Sequence, residues 1–260
     1  MSAVDFAAFV DELARTAGDA ILPFFRTALA IDNKKRKGDF DPVTAADRAA
    51  ETAMRALIRK HFPAHGIVGE EFEDVKSDAP YTWVLDPIDG TKSFIAGMPV
   101  WGTLIGLMKD GAPVYGMMAQ PFIRESFTGD GARAKYRGPT GERKLMTRAC
   151  ASIEEALLFT TSPHLFTPEE GERYRQAEKQ ARLVRYGGDC YAYCMVAAGH
   201  VDLVIEAGLD AYDIVPLIPI IEGAGGAVTN WQGGSAASGG QIIAAGDKRL
   251  VDAAVKLLNS

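Results

Sequence analysis

Trp83-Val84-Leu85-Asp86-Pro87-Ile88-Asp89-Gly90-Thr91 decides how the chain is read. Three apolar residues make a buried strand, which the Asp86-Pro87 step brings to a stop. Pro87 has no backbone N–H and a fixed φ, while Gly90 accepts a conformation other residues resist. Such a turn can aim the Asp86 and Asp89 carboxylates, with the Ile88 carbonyl oxygen, at one point. Converging carboxylates repel unless they share a cation or a proton. On this segment alone two accounts stand level. One is a metal corner; the other is a pair of acids that merely cap a turn, as Asp-Pro and Asp-Gly commonly do.

The chemistry on offer is all oxygen, which suits Mg²⁺ or Mn²⁺ rather than Zn²⁺. The chain has four histidines (His61, His65, His164, His200), none with HExxH spacing. After Gly90, Thr91 to Ile95 can begin a helix whose free N–H groups suit an anion such as phosphate. Further acids stand at comparable places. Glu70-Glu71 follows the strand Ile67-Val68, and Asp213 sits where a loop enters a helix, a position that also suits an ordinary N-terminal acid. Asp47 lies three residues after Thr44, which fits a variant capping box. Glu71, Glu73 and Asp74 are expected to be solvated. Competing motifs are missing: there is no GxxxxGK[ST] loop, no GxSxG elbow, and Gly129-x-Gly131 lacks a third glycine. Two residues separate the acids where a phosphoaspartate enzyme would have one, so the spacing favours a metal-held water.

Outward from this segment, residues 3–30 read as a helix burying Phe6, Phe9, Val10, Leu13, Ala17 and Ile21. Lys34 to Lys37 and Gly38 to Pro42 read as a loop. A second helix runs from Thr44 to His61 with Ala50, Met54, Leu57 and Ile58 on its apolar side. Val100–Lys109 and Ala112–Ala119 form a hairpin about Asp110-Gly111, and Phe122–Thr128 adds a strand. Beyond Arg148 strands and helices alternate: strand 156–161, helix 168–179, strand 183–186, helix 190–199, strand 201–206, helix 213–222, strands 226–230 and 241–245, and a last helix opened by Asp247. The class is α/β, mixed in sheet direction, antiparallel first and α/β later.

The chain has 260 residues, 47% of them hydrophobic and 24% charged, enough to bury a substantial core. Its net charge of −6 and the lack of a long basic run argue against nucleic acid as a partner. The most apolar stretch, Ile214 to Ile221, is far short of the roughly 18 residues that span a membrane. Asp5, Asp11 and Glu12 are unlike a signal peptide. Cys150, Cys190 and Cys194 form no disulfide framework or CxxC pair, which fits a cytoplasmic protein. Cys190, Cys194 and Met195 fall on helical spacing and read as core; His164 and His200 read as structural or surface residues.

Asp86-Pro87-Ile88-Asp89-Gly90-Thr91, with Gly69-Glu70-Glu71 upstream and Ala211-Tyr212-Asp213 downstream, resembles the inositol monophosphatase family from about residue 5 to 255. Tyr186-Gly187-Gly188-Asp189 through Glu206 to Gly226, and Asp89 to Gly97, look most like its histidinol-phosphatase branch. The resemblance implies one phosphatase domain over 1–260, with halves of about 1–145 and 146–260. Its fold would be a layered αβαβα sandwich of the inositol monophosphatase and fructose-bisphosphatase type, usually a homodimer. It implies hydrolysis of a small phosphate monoester with two or three Mg²⁺ (or Mn²⁺) on Glu70, Asp86, Asp89, Asp213 and the Ile88 carbonyl. Thr91, polarised by Asp47, would help Glu70 activate water, and attack would be in line without a phosphoenzyme. Gly90 and Thr91 would hold the phosphate, and Asp89, Asp213, Asp189 and Glu206 the rest of the substrate. That substrate would be L-histidinol phosphate, in histidine biosynthesis, or alternatively an inositol or related sugar phosphate. A non-catalytic binding module on the same fold is the reading from another class.

Overall fold

The structure, a computed structural model, describes residues 6–27, 31–33 and 42–260. The Lys34–Lys37 cluster and residues 38–41 lie outside them. The first helix, α1 (Phe6–Ile21), buries Phe9, Val10, Leu13, Ala17 and Ile21 as the spacing requires. It ends well before residue 30, because Pro23 cannot continue the ladder and Leu22–Phe24 tightens into a 3₁₀ turn. A short antiparallel pair, β1 (Ile31–Asn33) and β2 (Pro42–Thr44), leads into α2 (Ala45–His61).

Seven strands then form one sheet in chain order: β3 (Gly66–Gly69), β4 (Tyr81–Asp89), β5 (Gly102–Lys109), β6 (Ala112–Gln120), β7 (Glu125–Gly129), β8 (Ala134–Gly138) and β9 (Gly141–Lys144). The short helix α3 (Thr91–Ile95) follows β4 directly. Only the β3–β4 pairing is parallel. Asp110 and Gly111 take φ of 50° and 81°, the left-handed pair a two-residue hairpin needs. The short, mostly polar β8 and β9 were not legible in the sequence.

The second sheet has five strands in the order β11-β10-β12-β14-β13: β10 (Leu157–Thr160), β11 (Leu183–Tyr186), β12 (Leu203–Leu209), β13 (Ala227–Asn230) and β14 (Gly240–Ala245). Its helices are α4 (Pro168–Gln180), α5 (Asp189–Ala197), α6 (Ala211–Ile214), α7 (Ile218–Gly223) and α8 (Lys248–Leu258). The single helix expected over 213–222 is two helices, because Pro216 has no N–H to donate and breaks the run. The layers follow from who packs on whom. Helices α1 and α2 cover the outer face of the large sheet, α5 and α7 lie between the sheets, and α4 and α8 cover the outer face of the small one. This is an αβαβα sandwich.

Two close approaches set the site. Gly116 on β6 has the Pro216 carbonyl oxygen 1.8 Å from where a Cβ would sit, so the α6–α7 segment lies directly on the large sheet. At the end of β4 the strand does not stop at Pro87. It continues to Asp89 through a bulge, with Asp86 opposite Leu104 and Asp89 opposite Gly102. A proline without an N–H is tolerated at such an irregularity.

Candidate active site

The bulge, the start of α5 and the start of α6 meet at one corner. One carboxylate oxygen from each of Asp86, Asp89 and Asp213 lies within 4.8 Å of the others. Each acid is oriented by a backbone N–H. Asp86 Oδ1 accepts from Ile88 N–H at 3.0 Å, so the turn-capping account holds for that oxygen. Asp89 Oδ2 accepts from Cys190 N–H at 2.7 Å across 101 residues. Asp213 Oδ2 accepts from Asp210 N–H at 2.7 Å, closing a capping box, so it is both helix-terminal acid and corner acid.

Burial, followed by the charges of Glu70, Asp89, Asp213 and Asp47, holds the Asp86 carboxyl well above the usual carboxylate range. Burial, then Asp213 and Asp189, does the same for Asp89 against the pull of the Cys190 N–H. Burial and Glu70 push Asp213 up to about 7 although the Asp210 N–H opposes them. The charges acting most strongly on Asp86 are thus all acidic. An all-oxygen cluster of this kind fits a divalent metal ion, and protons are the only other way to relieve it.

Glu70, one residue past β3, and Asp47, buried in the first turn of α2, both lie within electrostatic reach of Asp86. The Thr44 side chain of the supposed capping box lies outside the described residues. Thr91, at the head of α3, donates its hydroxyl to the Ile88 carbonyl at 3.1 Å. Gly90 before it has φ 82°, which allows the turn. Glu71 corrects the sequence reading. Its side chain is 2% exposed and lies 3.7 Å from Arg48, whereas Glu73 and Asp74 are exposed.

A cavity of about 850 Å³ opens from the corner, lined by Asp89 and Asp213 at one end and by Asp189, Tyr193, Glu206 and the Ser162–Phe166 turn elsewhere. Asp189 opens α5 in a left-handed conformation, φ 43°, and accepts the Ser93 hydroxyl at 2.5 Å. Asp tolerates this region better than most side chains, and the Ser93 bond helps hold it there. Burial raises its carboxyl, while Ser93 and Lys92 pull it down. Glu206 is 7% exposed within β12 and does not end the strand. Its Oε1 takes the Thr161 N–H and hydroxyl at 2.7 and 2.6 Å, and Oε2 takes the Tyr193 hydroxyl at 2.9 Å. Ser93, Thr161 and Tyr193 were missed in the sequence. Tyr193 could have been found, four residues after Asp189 on one helical face. His164 lines the same cavity; Cys190 and Cys194 are buried as expected, and Cys190 also reaches the cavity.

Fold and corner together define the class, a phosphatase built on a layered sandwich around clustered acids. The chain belongs to the inositol monophosphatase family, whose profile matches residues 3–260. The family is metal-dependent, and its members hydrolyse phosphoric monoesters. The chain is 43% identical to the bifunctional chloroplastic phosphatase IMPL2 of Arabidopsis thaliana, over 97% of this chain and 75% of that one. It is 35% identical to a histidinol-phosphatase of Chlorobaculum parvum, over 85% and 84%. Among solved structures, an inositol monophosphatase from Zymomonas mobilis superposes with a TM-score of 0.87 at 41% identity, covering 99% of this chain and 100% of that one.

Proposed function

We propose that this protein is a Mg²⁺-dependent histidinol-phosphate phosphatase, converting L-histidinol phosphate and water to L-histidinol and phosphate. The observation that carries the reading is that Asp189 and Glu206 line the same cavity as Asp89 and Asp213 of the corner. Histidinol phosphate presents an amine and an imidazole opposite its phosphate, and both groups donate readily to carboxylates.

In this reading Glu70, Asp86, Asp89, Asp213 and the Ile88 carbonyl hold two or three Mg²⁺, with Mn²⁺ as a substitute. The ions supply an activated water and stabilise charge on the leaving oxygen. The chain's residues do the rest. Glu70 takes the proton of the attacking water, and Thr91, turning its hydroxyl from the Ile88 carbonyl to Asp47, orients that water. The N–H groups of Gly90 and Thr91 receive phosphate oxygens. Asp189, with a single hydroxyl partner on one oxygen, receives the cationic end of the substrate. Glu206, held by Thr161 and Tyr193, adds negative potential and an acceptor. The phosphate is transferred in line to water, with no phosphoenzyme. The resemblance adds a homodimer, and the three free thiols suit a reducing cytoplasm.

The second reading is an inositol-phosphate phosphatase. It is favoured by the 41% identity to the Zymomonas structure described as an inositol monophosphatase, and by the ability of two carboxylates to accept sugar hydroxyls. Phosphate release from histidinol phosphate and inositol 1-phosphate, measured side by side with Mg²⁺ and with chelator, separates the two. We expect histidinol phosphate to give the larger kcat/KM. A strong inositol preference would transfer the assignment, and hydrolysis of neither would end it.

A further inference from the structure

Asp47, Glu51 and Arg55 stand four residues apart on α2 and form one stripe on its inward side. They are 1%, 0% and 5% exposed, so a helix with an apolar face also carries a buried line of charge. Glu51 and Arg55 are paired at 2.6 Å. Buried ion pairs add little stability, since desolvation offsets most of the attraction. The question is what this pair holds.

Its other polar atoms converge on one stretch of backbone. Glu51 Oε2 accepts the Glu71 N–H at 2.8 Å. Arg55 donates Nη2–H to the Phe72 carbonyl and Nη1–H to the Glu73 carbonyl, each at 3.0 Å. Residues 70–74 belong to no helix or strand, and the chain next pairs through the Ile67–Val75 bridge. Side chains here supply bonds that a ladder would otherwise give. The approach is tight: a Cβ on Gly69 would sit 2.3 Å from Glu51 Oε1 and 2.8 Å from Arg55 Nη2. Glu70 lies between the glycine and the pinned residues.

We infer that the Glu51–Arg55 pair is a positioning device for Glu70. It fixes the 70–73 backbone, so that Glu70, whose charge already acts on Asp86 and Asp213, is kept within their reach before any ion arrives. The helix that brings Asp47 to the corner thus also braces the loop that brings Glu70. The inference rests on the metal-site reading above. Removal of the brace lets Glu70 wander, which weakens metal binding more than it weakens the fold.

The test is calorimetric titration of Mn²⁺ into metal-free protein without substrate, with melting followed in parallel. Arg55→Lys keeps the charge but loses the fork that reaches two carbonyls, and Glu51→Gln keeps an acceptor for the Glu71 N–H but loses the ion pair. Arg148→Met is the control, since it breaks the Arg148–Asp202 pair, with bonds of 2.6 Å and Asp202 2% exposed, in another part of the protein. Both brace variants are expected to bind Mn²⁺ about tenfold more weakly or worse, as loss of outer partners does at metal sites. High Mg²⁺ should restore kcat with KM for substrate little changed, and the control should bind as wild type. Unchanged Mn²⁺ affinity in either folded brace variant, or equal weakening in the control, would overturn the inference. Failure of the wild type to bind Mn²⁺ would instead overturn the metal-site reading on which it rests.

Discussion

Asp89 shows what a single side chain does at this corner. One oxygen is held by the Cys190 N–H and the carboxylate closes the acid cluster, so it joins α5 to the end of β4. Asn has the same shape and keeps an acceptor for that N–H, but it cannot neutralise a cation. Asp89→Asn should therefore lower kcat by about a thousandfold or more. Because it removes one of several repelling charges, it should leave the metal-free protein at least as heat-stable as wild type. Wild-type turnover in this variant would refute the assignment of Asp89 as a ligand. The acids themselves were legible in the sequence because strand ends and turn residues mark them. The burial of Glu71 was not, since the partners that decide it, Glu51 and Arg48, stand about twenty residues away on another element.

The apolar faces and caps of the strongly periodic elements were read correctly, whereas the prolines that end α1 and split α6 from α7 were overlooked. The apolar spacing of α1 and α2, the Asp110-Gly111 hairpin and the Asp247 cap of α8, which accepts the Arg249 N–H at 3.0 Å, all carry local signals. The split between α6 and α7 also had its signal in Pro216, but the apolar run around it hid the break. Its position is fixed by β6. With the Pro216 carbonyl oxygen 1.8 Å from a Cβ on Gly116, Gly116→Ala must push the segment bearing Asp213 off the sheet. Overpacking against backbone of this kind costs about 3 kcal/mol. Denaturant unfolding should show that loss, together with weaker Mg²⁺ activation, whereas a fully stable and active variant would mean the contact relaxes freely.

At the scale of the whole molecule, the corner draws Asp86 and Asp89 from the end of β4 in the large sheet and Asp213 from the segment between β12 and β13 of the small one, with Glu70 past the end of β3 acting on them through its charge. A metal ion there would tie the two layers together, and stability should follow both pH and metal. Burial raises the carboxyls of Asp86, Asp89 and Asp213, the last to about 7. A group whose folded-state pKa is raised contributes stability below its unfolded pKa and loses it as pH rises through the folded value. The metal-free protein should therefore lose heat stability between about pH 4 and 7, and Mg²⁺ should offset that loss by binding the folded state. Melting temperatures against pH, with chelator and with Mg²⁺, will check this; parallel curves would contradict it. The irregularity at Pro87 carries a last consequence. Along an even pleat, side chains three apart point to opposite faces, and Asp86 and Asp89 would be divided by their own strand. The extra residue shifts the alternation by one, and both acids come out on the same side. Adding one residue to β5 between Gly102 and Leu104 would even out the pairing and leave every acid in the sequence, yet it would turn the pair back to back and undo the corner.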